Sequence, residues 1–251
     1  MAKLKYQTNL SLQSPILLDA DYKKPKVEKM LAVLRDYGAI GDIKKTLAVD
    51  IGCSIGFFTR GLSPYYELVM GVDIDSHAIL QGRDQKSEGK TAFILGDSLL
   101  LPLPDSSVDL IICNHVYEHV PDPEKLFAEI HRVLNDNGIC YLGAVSRLTI
   151  IEPHYHLPFL SWLPKKLAHI YMRFMKKGDF YYENLRTYWG IKALLTQFHI
   201  KDYTLKIISD PDKYSAQDIL PRGGILRKIP LVFWKIGYLL LPGYIYILKK
   251  I

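Results

Sequence analysis

Cysteine is scarce in this sequence: Cys53, Cys113 and Cys140 are the only three, and no two stand as a CxxC pair. An odd number without paired spacing argues against a disulfide framework and a cysteine zinc site, and the expected compartment is the reducing cytoplasm. Long apolar runs are missing as well. The stretch 236–248 contains Pro242-Gly243 and falls short of the roughly 20 residues a spanning helix needs. The first ten residues, MAKLKYQTNL, hold no apolar run and no small-residue cleavage site, so a secretory signal is not expected. No internal repeat or low-complexity stretch is present. With 49% apolar and 23% charged residues, disorder is excluded as the general state of the chain.

What charge there is lies unevenly. Residues 1–150 hold 16 Lys and Arg against 19 Asp and Glu, whereas residues 151–251 hold 16 against 7. A basic second half suits an anionic partner such as a phospholipid surface, a phosphorylated substrate or nucleic acid. A solvated lysine-rich face explains it equally well.

The apolar pattern is regular up to residue 145. Val27, Met30, Leu31 and Leu34 recur at helical spacing within 22–37, and Gly38 follows as a stop. Short apolar runs then alternate with helical stretches. The strand candidates are 46–51, 68–72, 91–95, 108–113 and 139–145, and the helices lie near 56–63, 75–88 and 123–135. Asp75 is read as the cap of its helix, and Asp122-Pro123-Glu124 opens the next one. This alternation predicts an α/β fold: a doubly wound, mostly parallel sheet covered on both faces.

Beyond residue 146 the pattern loosens. A helix near 165–177, a helix near 187–198, a strand near 201–208 and a final strand near 243–249 are expected to complete seven strands. The segments 150–186 and 209–242 read as insertions or a lid. The chain thus divides into a helical segment (1–45), a cofactor-binding core (46–150) and a second half with lid segments and the last strands (151–251).

In an open parallel sheet, ligands bind beyond the carboxyl ends of the strands. The first strand ends in Asp50-Ile51-Gly52-Cys53-Ser54-Ile55-Gly56, whose glycines allow a tight turn and close approach to a ligand. The second ends in Gly71-Val72-Asp73, with Ile74 next, and the third in Gly96-Asp97-Ser98. A dinucleotide fingerprint would need glycine where Ser54 stands, and its pyrophosphate would be repelled by Asp50. A cofactor with an ammonium and a sulfonium suits an acid in that loop.

These segments resemble the class I S-adenosylmethionine-dependent methyltransferases of the ubiquinone-biosynthesis-like group. VDIGCSIGFFT resembles the first motif and GVDID the second. The run GDSLLLPLPDSSVDLIICNHVYEHVPDPEKLFAEIHRVLNDNGICYL resembles the remainder. The resemblance covers about the first 145 residues and departs from many members at Ser54. It implies a Rossmann-like fold and S-adenosyl-L-methionine as cofactor. Asp50, Gly52 and Gly56 are implied to contact its methionine part, Asp73 the ribose, Asp97 and Ser98 the adenine, and Asn114 the underside. Cys53, Ser54, Ile74 and Gly96 complete the expected cofactor set.

Methyl transfer from a sulfonium needs alignment above all, and a hydroxyl acceptor also gains from a base. His115 and His119, after the fourth strand, and His154 and His156, in the inserted segment, are the candidate catalytic residues. Structural hydrogen bonding is the competing reading for each. No metal is expected, because no ligand spacing on one helix supports one. A small or lipid- or glycan-linked acceptor methylated on oxygen is the favoured reading. Carbon methylation of a quinone precursor is the rival, and a non-catalytic protein that binds the cofactor is the reading from another class. Residues 151–251 also resemble methyltransferases of bacterial or archaeal surface-glycan pathways. Nucleic acid is disfavoured, since Asn114-His115-Val116-Tyr117 is unlike an NPPY motif. Residues 225–248 read as a helix and a final strand. Burial in the core is slightly favoured for them over contact with the inner face of a membrane.

Overall fold

The structure, a computed structural model, describes residues 10–13, 15–41 and 45–251. The expectation about a leader falls on residues 1–9, outside the described residues. In chain order the elements are α1 (Leu10–Gln13), α2 (Ala20–Tyr37), β1 (Lys45–Ile51), α3 (Phe57–Leu62), β2 (Tyr66–Asp73), α4 (Ser76–Arg83), β3 (Thr91–Leu95), β4 (Val108–Asn114), α5 (Pro123–Val133) and β5 (Leu134–Val145). There follow α6 (Lys165–Phe174), α7 (Tyr188–Leu194), β6 (Phe198–Asp202), α8 (Thr204–Ser209), α9 (Leu231–Ile236) and β7 (Gly243–Lys250).

Seven strands form one sheet in the order β3-β2-β1-β4-β5-β7-β6. Strand β7 runs antiparallel to both neighbours, and the other pairs are parallel. Alternating side chains build two cores. Val49, Ile51, Ile111, Cys113, Cys140 and Leu142 pack under α5 and α7. Ala48, Leu110, Ile112, Ile139 and Tyr141 pack under α2, α3 and α8. Continuous apolar strands are what burial on both faces demands. A smaller cluster of Leu157, Leu160, Ala168, Met172 and Tyr181 holds the inserted segment together.

The chain leaves β1 towards β2 and β3 on one side and returns to β4 on the other. The carboxyl ends of β1 and β4 are therefore the topological switch point, where the crossover connections part and leave a crevice.

Three expectations need correction. The strand expected at 201–208 is β6 at Phe198–Asp202, and a helix follows. The Asp202 carboxylate accepts from the Thr204 N–H at 2.8 Å, which starts α8. Tyr203, Thr204 and Ile207 are buried, a helical spacing that their β-branched neighbours obscure. The helix expected through 135 ends at Val133, because Leu134 is already extended. Core burial of residues 225–248 is found only in part: Leu241, Tyr244, Tyr246, Ile247 and Leu248 are buried and Trp234 and Tyr238 pack against the core, but α9 has no buried residue, and Phe233, Ile236 and Leu240 are exposed. Among the described residues no helix is long and apolar enough to cross a membrane.

Candidate functional site

The turn after β1 brings the expected residues together. Asp50 ends in a buried carboxylate whose Oδ2 accepts from the Thr59 N–H at 3.0 Å and from Thr59 Oγ1 at 2.7 Å. Burial pushes its pKa up to about 7, against the pull of the Thr59 hydrogen bonds. Among the described residues no cationic side chain forms an ion pair with it. Gly52, at φ 68°, has no room for a β-carbon, which would stand 2.7 Å from Val116 Cγ2. Ser54 is held left-handed at φ 52°, and its N–H donates to Asp73 Oδ2 at 2.7 Å. The other Asp73 oxygen accepts from the Asp75 N–H at 2.9 Å. Asp75 itself caps α4, as expected.

A cavity of about 1340 Å³ opens from this edge of the sheet. Gly52, Ser54, Asp73, Ile74, Gly96, Ser98 and Asn114 line one part of it. Asp50 and Cys53 line a small adjoining pocket shared with Gly52, Ser54 and Asn114. Gly56 and Asp97 line neither. Gly56 starts α3 at φ 86°, and a β-carbon there would overlap Phe93. Asp97 Oδ1 accepts from the Leu99 N–H at 2.8 Å, which shapes the loop between Gly96 and Ser98. Burial raises the Cys53 thiol well above its ordinary pKa, so it packs as a neutral group.

The four histidines line a second part of the same cavity. His115, left-handed at φ 59°, follows Asn114, and its N–H donates to Gly143 O at 2.9 Å. Tyr117 anchors this turn from below, with its hydroxyl 2.5 Å from Val145 O. Glu118 is fully buried, and His115 Nδ1 lies 3.5 Å from its Oε1. Burial would raise the Glu118 pKa, but His115, His119 and His154 together hold it below the ordinary value. The His119 and His154 rings meet edge to face at 4.9 Å.

Protonation separates these two rings. Burial lowers the His119 pKa to about 4, so it is neutral at pH 7. Burial also works against the charged form of His154, but the hydrogen bond and charge of Glu152 outweigh it and raise the pKa to about 9. His154 is thus a cation at neutral pH and lacks the free lone pair a resting base needs. His156, at φ 56°, completes the inserted turn. Left-handed non-glycine residues at Ser54, His115 and His156 all border the cavity, and such backbone strain concentrates at functional sites.

Sequence reasoning missed a stripe of lysines. Lys23, Lys26 and Lys29 on α2 line the cavity, and Lys29 pairs with Asp218 at 2.5 Å. Burial lowers the pKa of both Lys23 and Lys26 to about 8. Their spacing of three was visible, but nothing local in the sequence shows that this helix face looks onto a ligand space. It also missed Glu152 and Glu183, two buried acids of the insertion.

The arrangement fits a cationic adenosyl cofactor. Among the described residues the Asp50 carboxylate forms no ion pair, the backbone at Gly52 leaves a cradle, and Asp73 keeps lone pairs for ribose hydroxyls. At about 1340 Å³ the cavity exceeds the roughly 300–1,000 Å³ of an ordinary ligand site, which leaves space for a second ligand.

Comparison with known proteins agrees. The sequence model of the family described as Methyltransferase domain matches residues 49–142. A ubiquinone biosynthesis O-methyltransferase of Pasteurella multocida is 28% identical over 178 residues, covering 64% of this chain and 69% of that one. A malonyl-[acyl-carrier protein] O-methyltransferase of Hamiltonella defensa is 32% identical over 112 residues, 45% of this chain and 43% of that one. An uncharacterised methyltransferase of Mycobacteroides abscessus is matched over 38% of its length, so the chain spans less than half of several relatives. Among solved structures, a Pyrococcus horikoshii protein shares the fold with a TM-score of 0.62 at 16% identity, covering 96% of this chain and 98% of that one. An S-adenosylmethionine-dependent methyltransferase of Mesorhizobium loti gives 0.57 at 16% identity, covering 88% and 98%. Over residues 49–142 this chain therefore matches the methyltransferase domain family, and the cofactor that this match and the fold imply is S-adenosyl-L-methionine.

Proposed function

We propose that the chain is an S-adenosylmethionine-dependent methyltransferase that methylates an oxygen of a small or lipid- or glycan-linked acceptor. One observation carries this reading: a single cavity runs from the carboxyl ends of β1, β2 and β4 to the histidines of the insertion. When bound, S-adenosyl-L-methionine supplies a methyl group already activated by its sulfonium. The task left to the chain is alignment, which is where such reactions gain most.

In this reading Asp50 takes the cofactor's ammonium and Lys23, which borders the same small pocket, its carboxylate. The Asp73 oxygens face the ribose hydroxyls. Gly96, Asp97 and Ser98 shape the adenine side, while Gly52, Cys53, Ser54, Ile74 and Asn114 form the floor and Gly56 sets the turn. Residues 46–150 act as the cofactor-binding core, the described part of residues 1–45 as a helical cover and residues 151–251 as the half that builds the acceptor site. His115, His119, His154 and His156 surround the acceptor. His119 is the neutral member suited to receive a proton, and His154 is the cationic one suited to donate a hydrogen bond.

Lys26 and the apolar wall formed by Ile150, Ile229, Phe233 and Leu240 favour an acceptor with an anionic group and an apolar part. Exposed Val232, Phe233 and Ile236 beside Arg227, Lys228 and Lys235 favour contact with an anionic membrane surface at the cavity mouth. Sedimentation with phosphatidylglycerol vesicles tests that contact. Salt-sensitive binding weakened by Phe233→Asp is expected, and no binding at low salt contradicts it.

The central test is calorimetry with S-adenosylhomocysteine, followed by transfer from a labelled methyl donor to catechol, 4-hydroxybenzoate and lipid-linked sugar fractions. Micromolar binding and an O-methyl product are expected. A C-methyl product would favour the quinone-precursor reading, and binding without turnover on every acceptor would favour a non-catalytic role.

A further inference from the structure

Three groups able to ligate a metal meet on the cavity wall. A carboxylate oxygen of Glu118 and one ring nitrogen each of His119 and His154 lie within 4.8 Å of one another. Glu118 and His119 come from the turn after β4, and His154 comes from the inserted segment. No spacing rule along the sequence links them, which is why a metal was not expected.

Two further observations point to a cation. Glu118 is fully buried, and among the described residues neither of its carboxylate oxygens accepts a hydrogen bond of good geometry. Its nearest charged neighbour is His115 Nδ1, at an ion-pair distance of 3.5 Å. A buried acid in that state calls for a positive partner. His154, for its part, is fixed from behind. Its Nδ1 lies 2.6 Å from Oε1 of Glu152, whose other oxygen accepts from the backbone N–H groups of His154 and Tyr155 at 2.8 Å each. Glu152 is itself fully buried. A carboxylate that grips one ring nitrogen is the usual support of a metal-bound histidine, and a metal at the other nitrogen takes the place of the proton that the cationic ring carries there.

We propose that Glu118, His119 and His154 bind one divalent first-row transition-metal ion of the zinc, iron(II) and manganese(II) class. Two imidazoles and one carboxylate suit such an ion and leave coordination positions open. Ligand atoms about 2.1 Å from a common ion stand about 3–3.5 Å apart. Binding therefore draws these groups inward by about an ångström, an adjustment within reach of side-chain rotation. His119 and His154 both line the cavity, so the open positions face the space in which an acceptor oxygen would lie. The assignment rests on side-chain geometry and stands apart from the methyl-transfer reading.

The test uses the full untagged chain, stripped with chelator and titrated with Co²⁺ in the absence of any methyl donor. Visible ligand-field bands saturating at one ion per chain are expected, together with a rise in Tm. Glu118→Gln and His154→Gln should each weaken Co²⁺ binding at least tenfold, and Glu152→Gln by about 10- to 100-fold. His199→Gln, on the exposed edge of β6, should bind as the wild type does. Absence of saturable bands in the wild type overturns the proposal, as do bands that persist unchanged in both Glu118→Gln and His154→Gln. Circular dichroism identifies any variant that fails to fold, and the wild-type titration and the remaining variant then decide. Loss of methyl transfer with Co²⁺ binding intact would count against the enzymatic reading alone.

Discussion

The side chain of Asn114 occupies the space into which a β-carbon at Gly143 would project, the two residues being register partners on β4 and β5. Gly143→Ala is therefore expected to push Asn114 off the cavity floor. Overpacking of this kind costs about 1–3 kcal/mol. The variant should fold and bind S-adenosylhomocysteine at least tenfold more weakly in calorimetry. Unchanged affinity would separate Asn114 from the cofactor site.

Ser54 stands left-handed in the turn after β1, a conformation that favours glycine. A side chain there carries strain of order 1 kcal/mol, which glycine relieves at the cost of a more flexible unfolded chain. Ser54→Gly should change stability by less than about 1 kcal/mol and keep the Asp73 contact, since only the backbone N–H makes it. Ser54→Val, β-branched at positive φ, should cost about 1–3 kcal/mol and weaken cofactor binding. Urea unfolding and calorimetry on both variants check this, and equal behaviour of glycine and valine would contradict it.

Asp50 gives the site a pH dependence. Its folded pKa of about 7 lies above the unfolded value of 3.8, so the native state holds the extra proton between those values. Its contribution to stability is therefore full below about pH 4 and declines as pH rises towards 7. Cofactor binding runs the other way, because the ammonium prefers the ionised carboxylate. Affinity for S-adenosylhomocysteine should rise by up to about tenfold per pH unit below 7 and level off above it. Asp50→Asn should bind more weakly and with a flat profile from pH 5.5 to 7, below the range in which Lys23 titrates, and a slope that persists there would sink the assignment.

Glu152 holds the inserted turn as well as His154. Glu152→Ala leaves the Nδ1 of His154 and two backbone N–H groups without their acceptor. Breaking a buried pair of this kind costs about 3–5 kcal/mol. The loss should appear as a lower urea midpoint, and protease should cut first within 150–160. A loss below about 1 kcal/mol would mean that the turn is held elsewhere.

Local pattern carried the fold a long way. Strands buried on both faces leave continuous apolar runs, and the acids at their carboxyl ends follow in chain order, so the positions of Asp50, Asp73 and Asp97 at one edge of the sheet are legible in the sequence. The second half resisted for a physical reason. Around Tyr203 the side chains that suit a strand suit a short helix equally well, and the turn in which the Thr204 N–H donates to Asp202 Oδ1 starts the helix. The exposed face of α9 was equally ambiguous, because an apolar run reads alike whether it meets a core or solvent.

The sequence by itself determined the order of strands and helices up to residue 145 and the charge of the cofactor loop, since each depends on residues a few positions apart. Only the tertiary structure decided the company that His154 keeps. Glu118, His119 and Glu152 come together around it through the crossover of the sheet and the path of the insertion. That same proximity separates the protonation of two histidines that look alike in the sequence. Burial acts on both, but a carboxylate hydrogen-bonded to His154 reverses the outcome for that ring alone. Desolvation and charge contact depend on distance in space, and that distance is what folding sets.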